Sequence, residues 1–267
     1  MAKSIAEQYS KEMCKHFGGG YYAVWEPGVK IQLGDIGILN NYVFTQIGSV
    51  LIEPCNLIFT VSEGINPIQK AMYVSEGSVN WSLLGDAQVA PMNVVLNNIG
   101  AGVALEFVKE KSTFFEALNI NHHTIENKIV LGNSILALYK KGIWKKQWVV
   151  VTEVSVAESA TILISQTAGA KVEIKASASI GAAGISLADP SLGLSFQNAN
   201  GLGYQTLAQE GITYKFKLLG VKQPLFRNKP QIKLMSEEEI ECTPDVEVET
   251  STLVEIENCA DWPVKTD

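Results

Sequence analysis

Apolar and polar side chains alternate along much of the second half of the chain. The most regular stretch runs from Lys171 to Ile180. Val172, Ile174, Ala176, Ala178 and Ile180 alternate there with Lys171, Glu173, Lys175, Ser177 and Ser179. A period of two gives a strand with one face to bury. Trp148–Val156 is valine-rich, with Trp148, Val150, Val154 and Val156 at its even positions, and Thr161–Ser165 continues it. A turn is predicted near Thr167–Ala170. Leu192, Leu194 and Phe196 repeat the alternation, as do Ile212, Tyr214, Phe216 and Leu218 and, upstream, Val103, Leu105 and Phe107. Val29, Ile31 and Leu33 place a further strand within Tyr21–Leu39, ahead of a bend at Gly34-Asp35-Ile36-Gly37. Tyr42–Val61 reads as β-structure interrupted at Pro54.

Three helices are predicted. Ser4 caps the first, over Ser4–His16, with Glu7 completing a capping box and Gly18-Gly19-Gly20 ending it. Asn66-Pro67 starts a short second one over Ile68–Tyr73. Thr124 caps the third, whose stripe is Ile125, Ile129, Leu136 and Tyr139, with Lys140-Lys141 at its C-terminus and Gly142 as its stop. No fixed-period repeat or βα alternation is present. The fold class is therefore α+β: a twisted, largely antiparallel central sheet with surrounding helices and a short C-terminal segment laid on it as a strap. Arg227-Asn228-Lys229-Pro230 breaks the pattern and divides the chain into a body, residues 1–235, and a tail, residues 236–267.

Charge sharpens that division. The body holds 20 Lys+Arg against 17 Asp+Glu, a balance of +3, whereas the tail has one lysine and eleven acids, −10, giving the chain its net −7. The acidic pI of about 5.1 therefore describes the tail more than the body. The tail is not uniformly polar: Val246, Val248, Val254 and Ile256 alternate with Glu247, Glu249, Glu255 and Glu257. A strand with an apolar face suits a strap, and these residues with Trp262 are the predicted tail contacts.

The search for catalytic chemistry finds no activated nucleophile, phosphate loop or metal constellation, so the chain is not expected to be an enzyme and no cofactor is expected. His122 and His123 are adjacent and point apart on either a helix or a strand. Asp35, Asp86 and Glu153 are carboxylates that sequence alone neither pairs nor separates. Cys14, Cys55, Cys242 and Cys259 show no metal spacing and read as reduced thiols. The N-terminal residues lack the apolar core of a secretory signal, and no run of 18 apolar residues is present. Trp148–Val156 and Lys171–Ile180 have the length and alternation of barrel strands, a pattern shared with any half-buried sheet. Lys140, Lys141, Lys145 and Lys146 cluster around Trp144 and Trp148, a basic and aromatic patch suited to an anionic membrane surface. No nucleic-acid-binding module accompanies it, and none is expected as a partner.

Four runs carry a family resemblance: Pro27-Gly28-Val29-Lys30-Ile31 into Gly34-Asp35-Ile36-Gly37, Trp148–Val154, Ala170–Ala176 and Leu218-Leu219-Gly220-Val221-Lys222. Together they resemble the bacterial gasdermins, over about residues 14–235 plus a short C-terminal segment. The resemblance implies a pore-forming protein held inactive, as a cytoplasmic monomer, by its C-terminal peptide. A caspase-like or trypsin-like protease removes that peptide, and the body oligomerises on anionic inner-membrane lipids as a β-barrel pore that kills the cell in anti-phage defence. Asp245 suits a caspase-like protease; Arg227, Lys229 and Lys233 suit a trypsin-like one. The family also implies a palmitoylated cysteine near the N-terminus, for which Cys14 is the candidate. Twelve residues precede Met13, a departure from the family pattern: either Met13 is the true start or Cys14 is an internal thiol. The residues alone also fit a soluble β-rich lipid- or protein-binding module with a solubilising acidic tail, or an enzyme with an unrecognised carboxylate site.

Overall fold

The structure, a computed structural model, describes residues 4–65, 67–84, 102–177, 186–222 and 252–255. Helix α1 (Ile5–Phe17) is followed by strands β1 (Tyr22–Ala23), β2 (Asp35–Asn40), β3 (Val43–Ser49), β4 (Val61–Glu63), β5 (Ile68–Val74), β6 (Val79–Leu84), β7 (Gly102–Phe107) and β8 (Thr113–Ile125). Helix α2 (Lys128–Lys140) leads to β9 (Val149–Ser165), β10 (Ala170–Ala176), β11 (Leu194–Asn200), β12 (Leu202–Lys222) and β13 (Thr252–Glu255). Every strand pair among the described residues is antiparallel. The architecture is thus α+β and mostly antiparallel sheet.

Strand β9 is the axis of a nine-stranded sheet. One edge pairs with β12 from Val149↔Gly220 to Ser165↔Leu202. The other is shared by β8, from Glu153↔Thr124 to Ile164↔Thr113, and by β2 at Val149 and Val150. Beyond β8 lie β4 and β5, and the far edge of β12 carries β1 and β13. A second sheet has the order β11-β10-β7-β6. Both faces of β9 are covered at its ends. Val149 and Val151 enter one apolar cluster and Val150 another, so the odd positions of this run are as buried as the even ones. Trp148 precedes the strand.

Helix α1 forms as its sequence predicts. The Glu7 N–H donates to Ser4 Oγ at 3.2 Å and the Ser4 N–H to Glu7 Oε2 at 3.3 Å, satisfying two donors that a bare helix start leaves orphaned. Tyr9 and Met13 pack on Phe115, Ala117, Ile162 and Ile212 of the central sheet. Glu12 accepts hydrogen bonds at 2.7 Å from both Tyr73 Oη and Ser75 Oγ, clasping the helix to β5.

Three predicted elements are corrected. Ile68–Tyr73 is strand β5 instead of a helix: it has the open edge of β8 beside it, and the ladder from Ile68↔Ile120 to Val74↔Phe114 satisfies its backbone and outweighs the local helix-start signal. Asn66 lies outside the described residues. Helix α2 begins at Lys128 and is capped by Asn127, whose Oδ1 accepts from the Val130 N–H at 3.1 Å. Thr124 and Ile125 instead finish β8, paired with Ser62 and Val61. The buried stripe of α2 is accordingly Leu131, Ile135 and Leu136, while Ile129 faces solvent. Val29–Leu33 is a loop laid on the sheet, with Ile31 buried and its carbonyl accepting from Thr213 Oγ1 at 3.2 Å; the predicted bend at residues 34–37 overlaps the start of β2.

Candidate functional site

The second sheet consists of two hairpins, β6–β7 and β10–β11, joined through β7 and β10. Opposed pairs alternate in character. Leu105↔Val172 and Val103↔Ile174 are buried, and with Phe107 and Leu187 they pack on Phe114 and Leu163 of the central sheet. Between them, Glu106↔Lys171 and Ala104↔Glu173 face outward, with Lys171 Nζ 3.4 Å from Glu106 Oε1. The result is an amphipathic four-stranded sheet resting on the larger one. Its two hairpin connections, residues 85–101 and 177–193, are of equal length. Of the predicted Lys171–Ile180 strand, Lys171–Ala176 belongs to β10, Ser177 follows it as a bend, and Ala178–Ile180 lie outside the described residues.

A polar window opens on the central sheet where β8, β9 and β12 run side by side. His122, Ser155 and Lys215 are cross-strand neighbours, and Thr124, Glu153 and Lys217 form the next row. Tyr21 Oη donates to Glu153 Oε2 at 2.7 Å, Lys128 Nζ donates to Glu153 Oε1, and Lys217 Nζ lies 3.4 Å from Oε2. Lys215 Nζ sits 4.2 Å from the centre of the Tyr21 ring and 5.4 Å from that of Phe17, a cation–π position. His122 Nδ1 is 2.7 Å from Ser155 Oγ. Burial alone would raise the Glu153 carboxyl, but hydrogen bonds from Lys128 and Tyr21 and the charges of Lys128 and Lys217 outweigh it and hold it below the usual glutamate range. Burial, then the Lys217 charge, depresses Lys215. Burial and Lys215 lower His122 as well. Among the described residues, three ammonium groups gather around one carboxylate.

Strand β13 brings part of the tail onto the body. Thr252↔Lys222 through Glu255↔Leu219 extend the edge of β12, and Val254 lies opposite Gly220. The other predicted tail contacts, Val246, Val248, Ile256 and Trp262, lie outside the described residues, as do Asp245, Arg227, Lys229 and Lys233.

The basic and aromatic patch is divided. Lys140, Lys141, Lys145 and Lys146 are exposed, but Trp144 is 1% exposed and packs edge-on against the half-buried Trp148, ring centres 5.7 Å apart, under α2. The aromatics belong to the core and the lysines alone face solvent. Cys14 is buried beside Leu39, Phe44 and Phe216 and is disulfide-bonded. The expected reduced thiol is found at Cys55 and not at Cys14. A sulfur held in a disulfide carries no thioester.

Of the carboxylates left open by sequence, Asp35 accepts from the Gln32 N–H at 2.8 Å and Glu153 meets the lysines; the two do not meet each other, and Asp86 lies outside the described residues. No group of His, Cys, Asp and Glu able to hold a metal occurs among the described residues. His122 and His123 lie on β8, and His123 Nδ1 is 3.6 Å from Glu63 Oε1. On that side a groove of about 380 Å³ runs over Ile31, Leu33, Val154 and Val156, with Lys30 and His123 at its rim. Sequence reading missed Tyr21, Lys128, Lys215 and Lys217 as partners of Glu153. The available signal was a single acid inside the valine run 148–156. No helix among the described residues is long and apolar enough to cross a membrane, a statement that does not bear on strands. No family model matches this chain, and no curated protein matches it.

Proposed function

We propose that the chain is an autoinhibited pore-forming protein of the gasdermin type. The observation that carries this reading is the pair of adjoining hairpins, β6–β7 and β10–β11, in one amphipathic sheet. Each of these strands has six or seven residues. A bilayer-crossing strand needs about 9–11, and residues 85–101 and 177–193 supply the remainder. These connections include Val89, Val94, Val95, Leu96 and Ile99 in the first and Ile180, Ile185 and Leu187 in the second. Extended hairpins keep their apolar face, turned to lipid instead of to Phe114 and Leu163. Copies of the body joined side by side then close a barrel, which removes the open edges a bilayer does not tolerate.

The tail restrains this step. Strand β13 covers the Leu219–Lys222 edge of β12, and an uncovered edge is a template for pairing with another chain. Removing residues 236–267 takes the chain from −7 to +3, so the body is drawn to anionic inner-membrane lipid, with Lys140, Lys141, Lys145 and Lys146 as the contact. A trypsin-like protease cutting at Lys233 leaves a body of +3, and one cutting at Arg227 or Lys229 a body of +1 or +2, whereas a caspase-like cut at Asp245 leaves −2, so that the exposed lysines and not the net charge then face the lipid; cell death as anti-phage defence follows. In a reducing cytoplasm a freed Cys14 is the site for a palmitoyl anchor. The test is expression of residues 1–245 beside the full chain, in bacteria and with dye-loaded anionic liposomes. Leakage and toxicity confined to the shorter chain support the reading, and equal harmlessness of the two rejects it.

The groove over Ile31 and Val154, with an apolar floor and Lys30 at its rim, favours a second reading as a soluble module that binds an amphiphile. Saturable binding of a fluorescent fatty acid to the full chain, lost in Val156→Trp, together with no leakage from the shorter chain, selects that reading over the first.

A further inference from the structure

Glu116 is 2% exposed, and its chain neighbours Phe114, Phe115 and Ala117 are fully buried. Its carboxylate faces the segment that closes the β10–β11 connection. Oε1 accepts from Ser186 Oγ and Oε2 from the Leu187 N–H, both at 2.8 Å. Lys70 on β5, two residues from the partner of Glu116 in the ladder, brings Nζ to 2.5 Å from Oε1. Thr161, directly opposite Glu116 on β9, donates to the Leu187 carbonyl, and Ser159 Oγ donates to the Ala188 carbonyl at 2.5 Å. The Leu187 side chain, 1% exposed, enters the seam between the two sheets beside Leu105, Val172, Phe114 and Leu163. Residues 186–188 are thus a peg whose side chain lies in an apolar seam and whose backbone is gripped on both sides by polar groups of the central sheet.

An apolar residue would fill the place of Glu116 without the cost of desolvating a charge. The carboxylate is explained by what it holds. It is the acceptor for a buried N–H, and it is joined to Lys70, whose side chain is 46% exposed. A grip of this kind lets go when a few directional bonds break, whereas an apolar seam yields gradually. Lifting the β10–β11 hairpin from the central sheet would draw Leu187 out of the seam, because the peg lies within the connection between β10 and β11.

We propose that Glu116, with Ser159 and Thr161, is a latch that holds the β10–β11 hairpin down on the central sheet, and that its release precedes extension of that hairpin. The latch stands on the geometry alone; its role in pore opening rests on the pore-forming reading above. The test uses the full chain and the Glu116→Gln, Glu116→Ala and Ser186→Ala variants, followed by amide hydrogen exchange at Leu187 and by limited proteolysis within residues 177–193. Both Glu116 variants should exchange the Leu187 amide roughly tenfold faster or more, with amides of the β9–β12 ladder unchanged, and cleavage within 177–193 should rise. Ser186→Ala keeps the carboxylate and should show the same local effect at smaller size, which preserves the test if a Glu116 variant does not fold. Unchanged Leu187 exchange in a folded Glu116→Gln chain overturns the latch. In liposome leakage after tail removal, Glu116→Gln should act faster than the wild-type sequence; equal rates overturn the role in opening. Leakage from neither, with accelerated Leu187 exchange, removes the pore-forming reading and leaves the latch standing.

Discussion

Replacing Glu153 by glutamine tests whether the polar window is held by charge. The substitution keeps an oxygen for the Tyr21 hydroxyl and removes the charge that Lys128 and Lys217 share. Exposed ion pairs contribute about 0–1 kcal/mol, and breaking a buried one costs about 3–5. The side chains of Glu153, Lys217 and Lys128 are 17%, 20% and 28% exposed, between these limits and nearer the buried one. Two charge-assisted contacts weakened in that setting give a loss of about 2 kcal/mol at pH 7. At roughly 2–4 °C per kcal/mol for chains of this size, the melting temperature falls by about 4–8 °C. The sign with pH follows from the depressed folded-state pKa of Glu153. Its contribution is fully present above the unfolded glutamate value, 4.5, and is lost as pH falls through the lower folded value. Urea unfolding of both proteins at low ionic strength should therefore show the gap at pH 7 and its closing below pH 4. A gap of equal size at both pH values, or none at pH 7, refutes the claim that the Glu153 charge holds these lysines.

Other outcomes follow from the same geometry. His122 has a folded pKa below 6.5, so the unfolded chain takes up its proton first as pH falls and stability drops from about pH 6.5 downward; His122→Gln should flatten the stability–pH profile between pH 6.5 and 5, measured by urea unfolding. Trp144→Ala should cost about 3–5 kcal/mol, read from the same assay, because the ring is fully packed under α2. Changing Lys140, Lys141, Lys145 and Lys146 together to glutamine should move stability by less than about 1 kcal/mol. It should weaken binding of residues 1–245 to anionic vesicles by roughly a hundredfold at low salt, in a sedimentation assay, with the difference shrinking as salt is added.

Long-range order was legible in this sequence where only one face of an element is buried. Lys171–Ala176 reads correctly because its outer face meets solvent, and α1 reads correctly because its cap lies in its own first turn. Trp148–Val156 reads as a strand, but its alternation does not describe which residues are buried, since Val149, Val151 and Val154 pack with Ile31, Leu39 and Phe44 while Val150 packs with Leu131, Ile135 and Trp144. Ile68–Tyr73 fails for a different reason. A proline after an asparagine is a genuine local helix signal, and only the unfilled edge of β8, distant in sequence, overrides it. Trp144 and Trp148 are likewise interleaved with lysines along the chain, yet the turns after α2 bring the two rings edge-on against each other while the lysines between and before them stay outside. The Glu153 window and the Glu116 grip draw on residues as far apart as 21 and 217, or 70 and 187, which no local window compares.

Strand β12 starts at Leu202, one glycine after β11, and continues to Lys222, where β13 is seated. The hairpin sheet and the tail therefore grip opposite ends of a single strand, which at about 3.3 Å per residue is roughly 70 Å of nearly extended backbone. Its pairing with β9 shifts register at Leu202/Tyr204, Thr206/Gln209, Thr213/Lys215 and Lys217/Leu218, and Ala208 and Gly211 adopt positive φ within it, so the strand is a run of short straight pieces. Gly201, with φ +73°, is the pivot at the near end. The two ends of β12 are thus tied to different parts of the chain, the near one to β11 through the Gly201 turn and the far one to β13.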